Sequence, residues 1–274
     1  MSNTIQSSYV LESENEFERL EEQGRVPGYD CESDFQGFRL EIGASVLDAG
    51  CGSGIVSRYL AERFPQATVT GCDVSERRVA QARVAAAHLA NVQFVACDLA
   101  RLPFEEKSFD VIICRYVLHH LSKEHCARIC REFLRVLKPG GKLISIEPDG
   151  IFDNLYPMPK VVREVMSAVK GYESVDLYCG RKMPAMLIGA GFELNGYEIQ
   201  TFDAQGERRA LELGLMRQRL SQLIPVLSEL VGSRERAESF RDEFLATLES
   251  PSSTYFHNKF IVTATNGVTR AGDA

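Results

Sequence analysis

The 274-residue chain contains no tryptophan, no Cys-x-x-Cys pair and no cluster of cysteine and histidine at zinc spacing. A structural zinc needs four such ligands at short intervals, so no metal site is expected. No apolar stretch approaches the ~18 residues of a membrane-spanning helix, which argues against membrane insertion. The N-terminus lacks a basic start followed by an apolar run, so no secretory signal is expected and the reading is cytoplasmic. Basic runs are missing too. The net charge is −7, and residues 1–35 account for it with two basic against nine acidic side chains. The other 239 residues carry 29 of each sign, with no run able to displace phosphate counterions, so no nucleic-acid partner is expected. The composition, 45% hydrophobic and 25% charged, excludes collagen-like and disordered chains. Of the eight cysteines, Cys72, Cys97 and Cys114 lie in apolar runs, where a reduced thiol behaves as a small hydrophobe. The oligomeric state stays open.

What is present is a regular alternation. Residues 44–149 show β-rich runs at 45–49, 68–73, 92–98, 110–116 and 142–147, separated by helical patterns at 56–63, 76–89 and 123–137. The last of these sets Cys126, Ile129, Cys130, Phe133, Leu134 and Leu137 on one stripe, with Ser122 as its expected N-cap. Strand–helix–strand repeats predict an α/β fold: a Rossmann-like, mostly parallel sheet with helices on both faces. Ligands of such sheets bind beyond the carboxyl ends of the strands. Further runs at 192–201 and 255–265 complete a seven-stranded sheet. The 206–249 stretch between them is too long and too helical for a hairpin loop. It is expected to cap the pocket, together with 151–172, and Tyr156, Tyr172, Tyr178, Phe202 and Phe256 are candidate chamber aromatics.

The strongest local signal is Val46-Leu47-Asp48-Ala49-Gly50-Cys51-Gly52-Ser53-Gly54, a strand running into a glycine-rich turn and a helix. Such a turn lets a ligand approach the backbone and offers it the helix's first N–H groups. Dinucleotide-binding folds use one as well, but Ile55 stands where their third glycine belongs. Asp48, inside the strand, adds a negative charge that favours a cationic ligand over a pyrophosphate. Asp73 follows Gly54 by 19 residues, the distance at which a carboxylate on the neighbouring strand tip meets a ribose.

Taken with Gly71-Cys72-Asp73-Val74-Ser75, Val95-Ala96-Cys97-Asp98-Leu99, Phe109 to Arg115 with His119-His120-Leu121, and Leu137-Lys138-Pro139-Gly140-Gly141, the turn resembles motif I of the class I S-adenosylmethionine-dependent methyltransferases. The resemblance covers roughly residues 40–150, and its flavour is that of the ubiquinone/menaquinone C-methyltransferase-like branch. It implies S-adenosylmethionine as cofactor, an antiparallel last strand and a small-molecule methyl acceptor. The alternatives are a protein that binds this cofactor without methyl transfer, or a methyltransferase acting on protein or RNA.

The resemblance implies that Asp73 accepts the ribose hydroxyls, Asp98 the adenine amino group, and that Val74 and Leu99 flank the adenine. Asp48, Gly50, Cys51 and Gly52 would hold the methionine end, with the Arg115 backbone beside it. Asp73 read alone could equally start a helix, and Asp98 could serve a turn before Pro103. Tyr9, Arg19 and Gln23 are implied to close on the cofactor as a lid, although Arg19 among six glutamates could instead make surface ion pairs. His119, His120 and Tyr116 are the candidates for a general base, with a structural hydrogen bond as the other role for either histidine. The resulting organisation is a lid helix at 1–35, a methyltransferase domain at 36–265 with cap insertions at 151–172 and 206–249, and a polar tail at 266–274.

Overall fold

The structure, a computed structural model, describes residues 16–172 and 175–267. Tyr9, the start of the predicted lid helix and most of the predicted tail lie outside the described residues.

The first half follows the predicted alternation. Strands β1 (Ser45–Ala49), β2 (Thr68–Asp73), β3 (Val92–Ala96), β4 (Phe109–Arg115) and β5 (Leu137–Asp149) alternate with helices α3 (Ile55–Arg63), α4 (Glu76–Ala85) and α5 (Lys123–Val136). Helices α1 (Glu16–Gln23) and α2 (Cys31–Asp34) precede them. Ser122 caps α5 by accepting the N–H of His125. The second half holds a two-residue strand β6 (Leu155–Tyr156), α6 (Lys160–Lys170), α7 (Cys179–Ala190), β7 (Glu193–Asp203), α8 (Gly206–Val231), α9 (Arg234–Glu249) and β8 (Thr254–Thr265). Where 151–172 reads as helical throughout, helix forms at Lys160–Lys170, since Pro157 and Pro159 deny the preceding turn its N–H donors.

The seven long strands lie in the order β3-β2-β1-β4-β5-β8-β7, parallel from β3 to β5, with β8 antiparallel to both of its long neighbours. The short β6 pairs with the start of β8 as an eighth strand. Side chains alternate across the sheet, as the period of two requires. Val46, Val111 and Ile113 pack with Val56 and Leu60 of α3 on one face. Leu47, Ile112 and Cys114 pack with Ile129 and Phe133 of α5 on the other. All eight cysteines are free thiols.

A separate apolar core belongs to the cap. Val162, Val165 and Met166 of α6 meet Met216, Leu220 and Ile224 of α8 and Phe240 and Phe244 of α9. The α8–α9 pair is thus inserted between β7 and β8 and packs through its own core. No described helix is long and apolar enough to cross a membrane.

Candidate functional site

Parallel strands β1, β2 and β4 end together, and a cavity of about 310 Å³ opens there beneath the cap. The turn after β1 is tied to the tip of β2: Gly50 and Cys51 both donate their N–H groups to the Cys72 carbonyl, at 2.8 and 2.9 Å. Gly50 has φ +77°, and a Cβ there would stand 2.3 Å from Val117, so the turn admits no side chain. This places Gly52 beside Asp73, whose Oδ2 accepts the Gly52 N–H at 3.0 Å. Asp73 Oδ1 accepts from Ser75 N at 2.9 Å and faces Arg78 at 3.2 Å. A carboxylate has about four acceptor sites, so a ligand diol would find one and would gain a second by displacing Arg78.

Asp48 is buried behind the turn, 2% exposed, with Ser57 donating its hydroxyl to Oδ2 at 2.6 Å. Burial pushes its carboxyl up to about 6, against the opposing pull of that hydrogen bond. Asp98 accepts the N–H of Ala100 at 2.9 Å, the turn role that sequence allowed, and also lies on the cavity wall. Val74, Leu99 and Cys51 line the wall as well. Burial raises the Cys51 thiol well above its ordinary value, so it stays protonated.

Two of the three residues expected to form a lid are among the described residues. Arg19 and Gln23 line the cavity, and Arg19 donates to Gln23 Oε1 at 2.8 Å and to both Glu16 oxygens at 2.7 and 2.9 Å. Arg19 is 7% exposed, so its ion pair is buried and not the superficial kind. Leu20 sits over Gly52, and Glu22 accepts from Gln218 of α8 at 2.8 Å, which joins α1 to the cap.

The Arg115 side chain, on which sequence was silent, points toward α2. Its guanidinium donates to Asp34 Oδ2 at 2.6 Å and to the Tyr29 carbonyl, so it anchors α2 to β4 while its flank lines the cavity. Asp34 also holds Lys259 of β8. Sequence gave no sign of this three-residue cluster, because its members are 81 and 225 positions apart in pairs.

The turn after β4 carries the histidines. Tyr116 adopts φ +57°, a left-handed conformation that costs a bulky residue about 1–2 kcal/mol, and its ring lies under the Arg115 guanidinium at 4.8 Å. Burial raises its hydroxyl far above the ordinary value, so it acts as a neutral hydrogen-bonding group. His119 Nδ1 lies 2.7 Å from Glu147 Oε2. Glu147 is fully buried and accepts the N–H groups of Val117, Leu118 and His119 at 3.1, 2.8 and 3.3 Å. An acceptor so placed accepts a hydrogen bond from Nδ1–H, which leaves Nε2 as the lone-pair nitrogen of the neutral ring. The His120 ring lies tilted against His119, centroids 3.8 Å apart, and burial, with nearby positive charge, lowers it well below its ordinary value. Sequence missed Glu147. Its signal was an acid closing the apolar run Leu143-Ile144-Ser145-Ile146 at a strand's carboxyl end.

The far wall is mostly apolar: Met166 and Val169 of α6, Leu223 and Leu227 of α8, and Phe240 of α9. Of the predicted chamber aromatics, Tyr172 lines it. Tyr156 and Phe256 face solvent, Phe202 stacks behind Tyr29 at 4.6 Å, and Tyr178 lies off the wall beside Asp153. Tyr29 and His257 do line it, joined by a 2.9 Å hydrogen bond. Among the described residues no group of three metal-ligating side chains converges.

A family model described as "Methyltransferase domain" matches residues 46–141. A demethylmenaquinone methyltransferase of Tropheryma whipplei (strain Twist) is 31% identical over 186 residues, covering 63% of this chain and 76% of that protein. One from Listeria monocytogenes serotype 4a (strain HCC23) is 37% identical over 113 residues, 40% of this chain and 47% of the relative, so the chain spans about half of that protein's length. Among solved structures, the cyclopropane synthase MmaA2 of Mycobacterium tuberculosis has a TM-score of 0.63 at 13% identity, covering 94% of this chain and 96% of that one. At that identity the likeness is one of fold.

Proposed function

The chain belongs to the class I S-adenosylmethionine-dependent methyltransferases, and we propose that it transfers a methyl group to a small organic molecule held between the strand tips and the helical cap. One observation carries the reading: a single chamber joins the carboxylate-lined glycine turn to an apolar wall contributed by α6, α8 and α9. A largely apolar chamber roofed by helices suits a small substrate. A quinone-like or secondary-metabolite acceptor, methylated on oxygen, nitrogen or carbon, fits that wall.

The residues present suit the cofactor. A buried acid (Asp48), a backbone turn closed to side chains (Gly50) and a strand-tip carboxylate (Asp73) are a donor set for a cation bearing a diol. In this reading Asp73 accepts hydrogen bonds from the ribose hydroxyls, Asp98 and Leu99 meet the adenine, and the turn at Gly50–Gly52 holds the amino-acid end under Arg19 and Gln23. When bound, the cofactor supplies an electrophilic methyl group on sulfonium. The chain's own work is to align the acceptor, exclude water and, where the acceptor arrives protonated, take its proton. His119 is the group for that last task, since Glu147 orients it and leaves Nε2 as the basic nitrogen. His120, held neutral by burial, serves the packing of the turn. Residues 1–35 act as lid and 36–265 as the catalytic domain, with 151–172 and 206–249 capping it.

The test is isotope transfer. Purified protein is given S-adenosylmethionine with a heavy methyl group in an extract of its source, and mass spectrometry follows the label. Label in a low-mass compound is the expected result. Label in protein or RNA, or none above a no-enzyme control, contradicts the reading.

A further inference from the structure

Five cationic side chains of lysine and arginine line the chamber among the described residues, and four are matched by acids. Arg19 is held by Glu16, Arg78 by Asp73, and Arg115 and Lys259 by Asp34. Arg219, on the cap helix α8, makes no hydrogen bond or ion pair with a described residue, and its Nη1 is buried without a partner. Glu212, a buried acid two turns away on the same helix, lies 3.4 Å from the Tyr29 hydroxyl. Glu212 lies close enough to feel the Arg219 charge but forms no ion pair with it, so the half-buried guanidinium keeps donors for an anionic group in the chamber.

A second observation points the same way. His257 is 2% exposed and lines the chamber; one ring nitrogen meets Tyr29, and Nδ1 has no partner. Burial, with Arg219 and Lys259 nearby, lowers this imidazole to about 3, so it is neutral; with the Tyr29 proton on the shorter contact, to Nε2, the imidazole N–H sits at Nδ1 as a spare donor. Arg219 lies one and two turns before Leu223 and Leu227 of the apolar wall, which sets it on the acceptor's side of the chamber.

We propose that the methyl acceptor presents an anionic oxygen, as a carboxylate or an ionised phenol or enol, to Arg219, with His257 contacting the same polar end and the apolar body lying along α6, α8 and α9. This rests on the methyltransferase reading and adds the acceptor's charge to it. Arg219 makes a charge-assisted, two-pronged contact that a neutral isostere cannot match.

The probes are 2-naphthoate, 2-naphthol and the neutral 2-naphthamide, titrated calorimetrically into protein saturated with S-adenosylhomocysteine. Wild type is expected to bind an anion about tenfold tighter than the amide. Arg219→Met should bring the two to parity, and Arg219→Lys should keep part of the preference. A preference for naphthoate assigns a carboxylate; a preference for naphthol that grows as the phenol ionises assigns a phenolate. Equal binding of anion and amide by wild type, including none of either, overturns the inference, as does an unchanged preference in Arg219→Met. S-adenosylmethionine is titrated into the same samples. Wild type that fails to bind it contradicts the methyltransferase reading and takes this inference with it. Loss of that affinity in Arg219→Met, with the anion preference intact, would give Arg219 to the cofactor instead.

Discussion

The two walls of the chamber are built by different physics. The strand-tip wall is made by backbone: the Cys72 carbonyl fixes the Gly50–Cys51 turn, and Gly52 and Ser75 N–H groups fix Asp73. Its parts lie within about 50 residues of one another, and each is set by a strand end. The cap wall is made by side-chain packing among three helices separated by up to 80 residues, and its polar groups find their partners across the whole chain. A turn fixed by hydrogen bonds tolerates little variation, whereas a packed helical wall can change its lining and keep its core. One wall therefore suits a constant cofactor, and the other suits an acceptor that differs between relatives.

Three variants test that division. The largest effect is expected in the cap core. Phe244 is fully buried, and Phe244→Ala should cost about 3–5 kcal/mol of stability in chemical denaturation. The folded variant should still bind S-adenosylmethionine within about threefold of wild type; a proportionate loss of affinity would mean that the walls are one unit. Next comes Asp73→Asn, which removes a charged acceptor from the strand-tip wall. Cofactor affinity of the folded variant should fall by about 1.5–3 kcal/mol. Unchanged affinity in calorimetry would remove Asp73 from the site.

The smallest effect is in pH. Asp48 titrates near 6 in the folded chain, above its unfolded value, so ionising it as pH rises from about 4 through 6 costs folding stability. The sulfonium prefers the ionised form, so cofactor affinity should run the other way and be about tenfold weaker at pH 5 than at pH 7. Asp48→Asn should flatten that slope. A slope that persists in the variant would place the titrating group elsewhere.

Legibility follows the same division. Asp48, Gly50, Asp73 and Asp98 were readable because period-two strands and glycine turns are local, and β1 and β2 begin and end where their residue pattern predicts. Strand β5 runs longer than its apolar run, Leu137–Asp149, because pairing with β4 and β8 extends it beyond what local propensity sets. The Arg115–Asp34–Lys259 cluster, the Glu147–His119 pair and Arg219 were not readable, since each depends on contacts that only the folded chain makes. Four of the five aromatic candidates failed for a related reason: apolar character does not say which face of a cap turns inward, and Tyr156 is 73% exposed.

Hydrogen–deuterium exchange with and without S-adenosylhomocysteine tests the division most directly. The account predicts new protection at residues 49–54, 73–75 and 98–100, with the α8–α9 core unchanged. Protection confined to α8 and α9, with the turn after β1 unaffected, would contradict it.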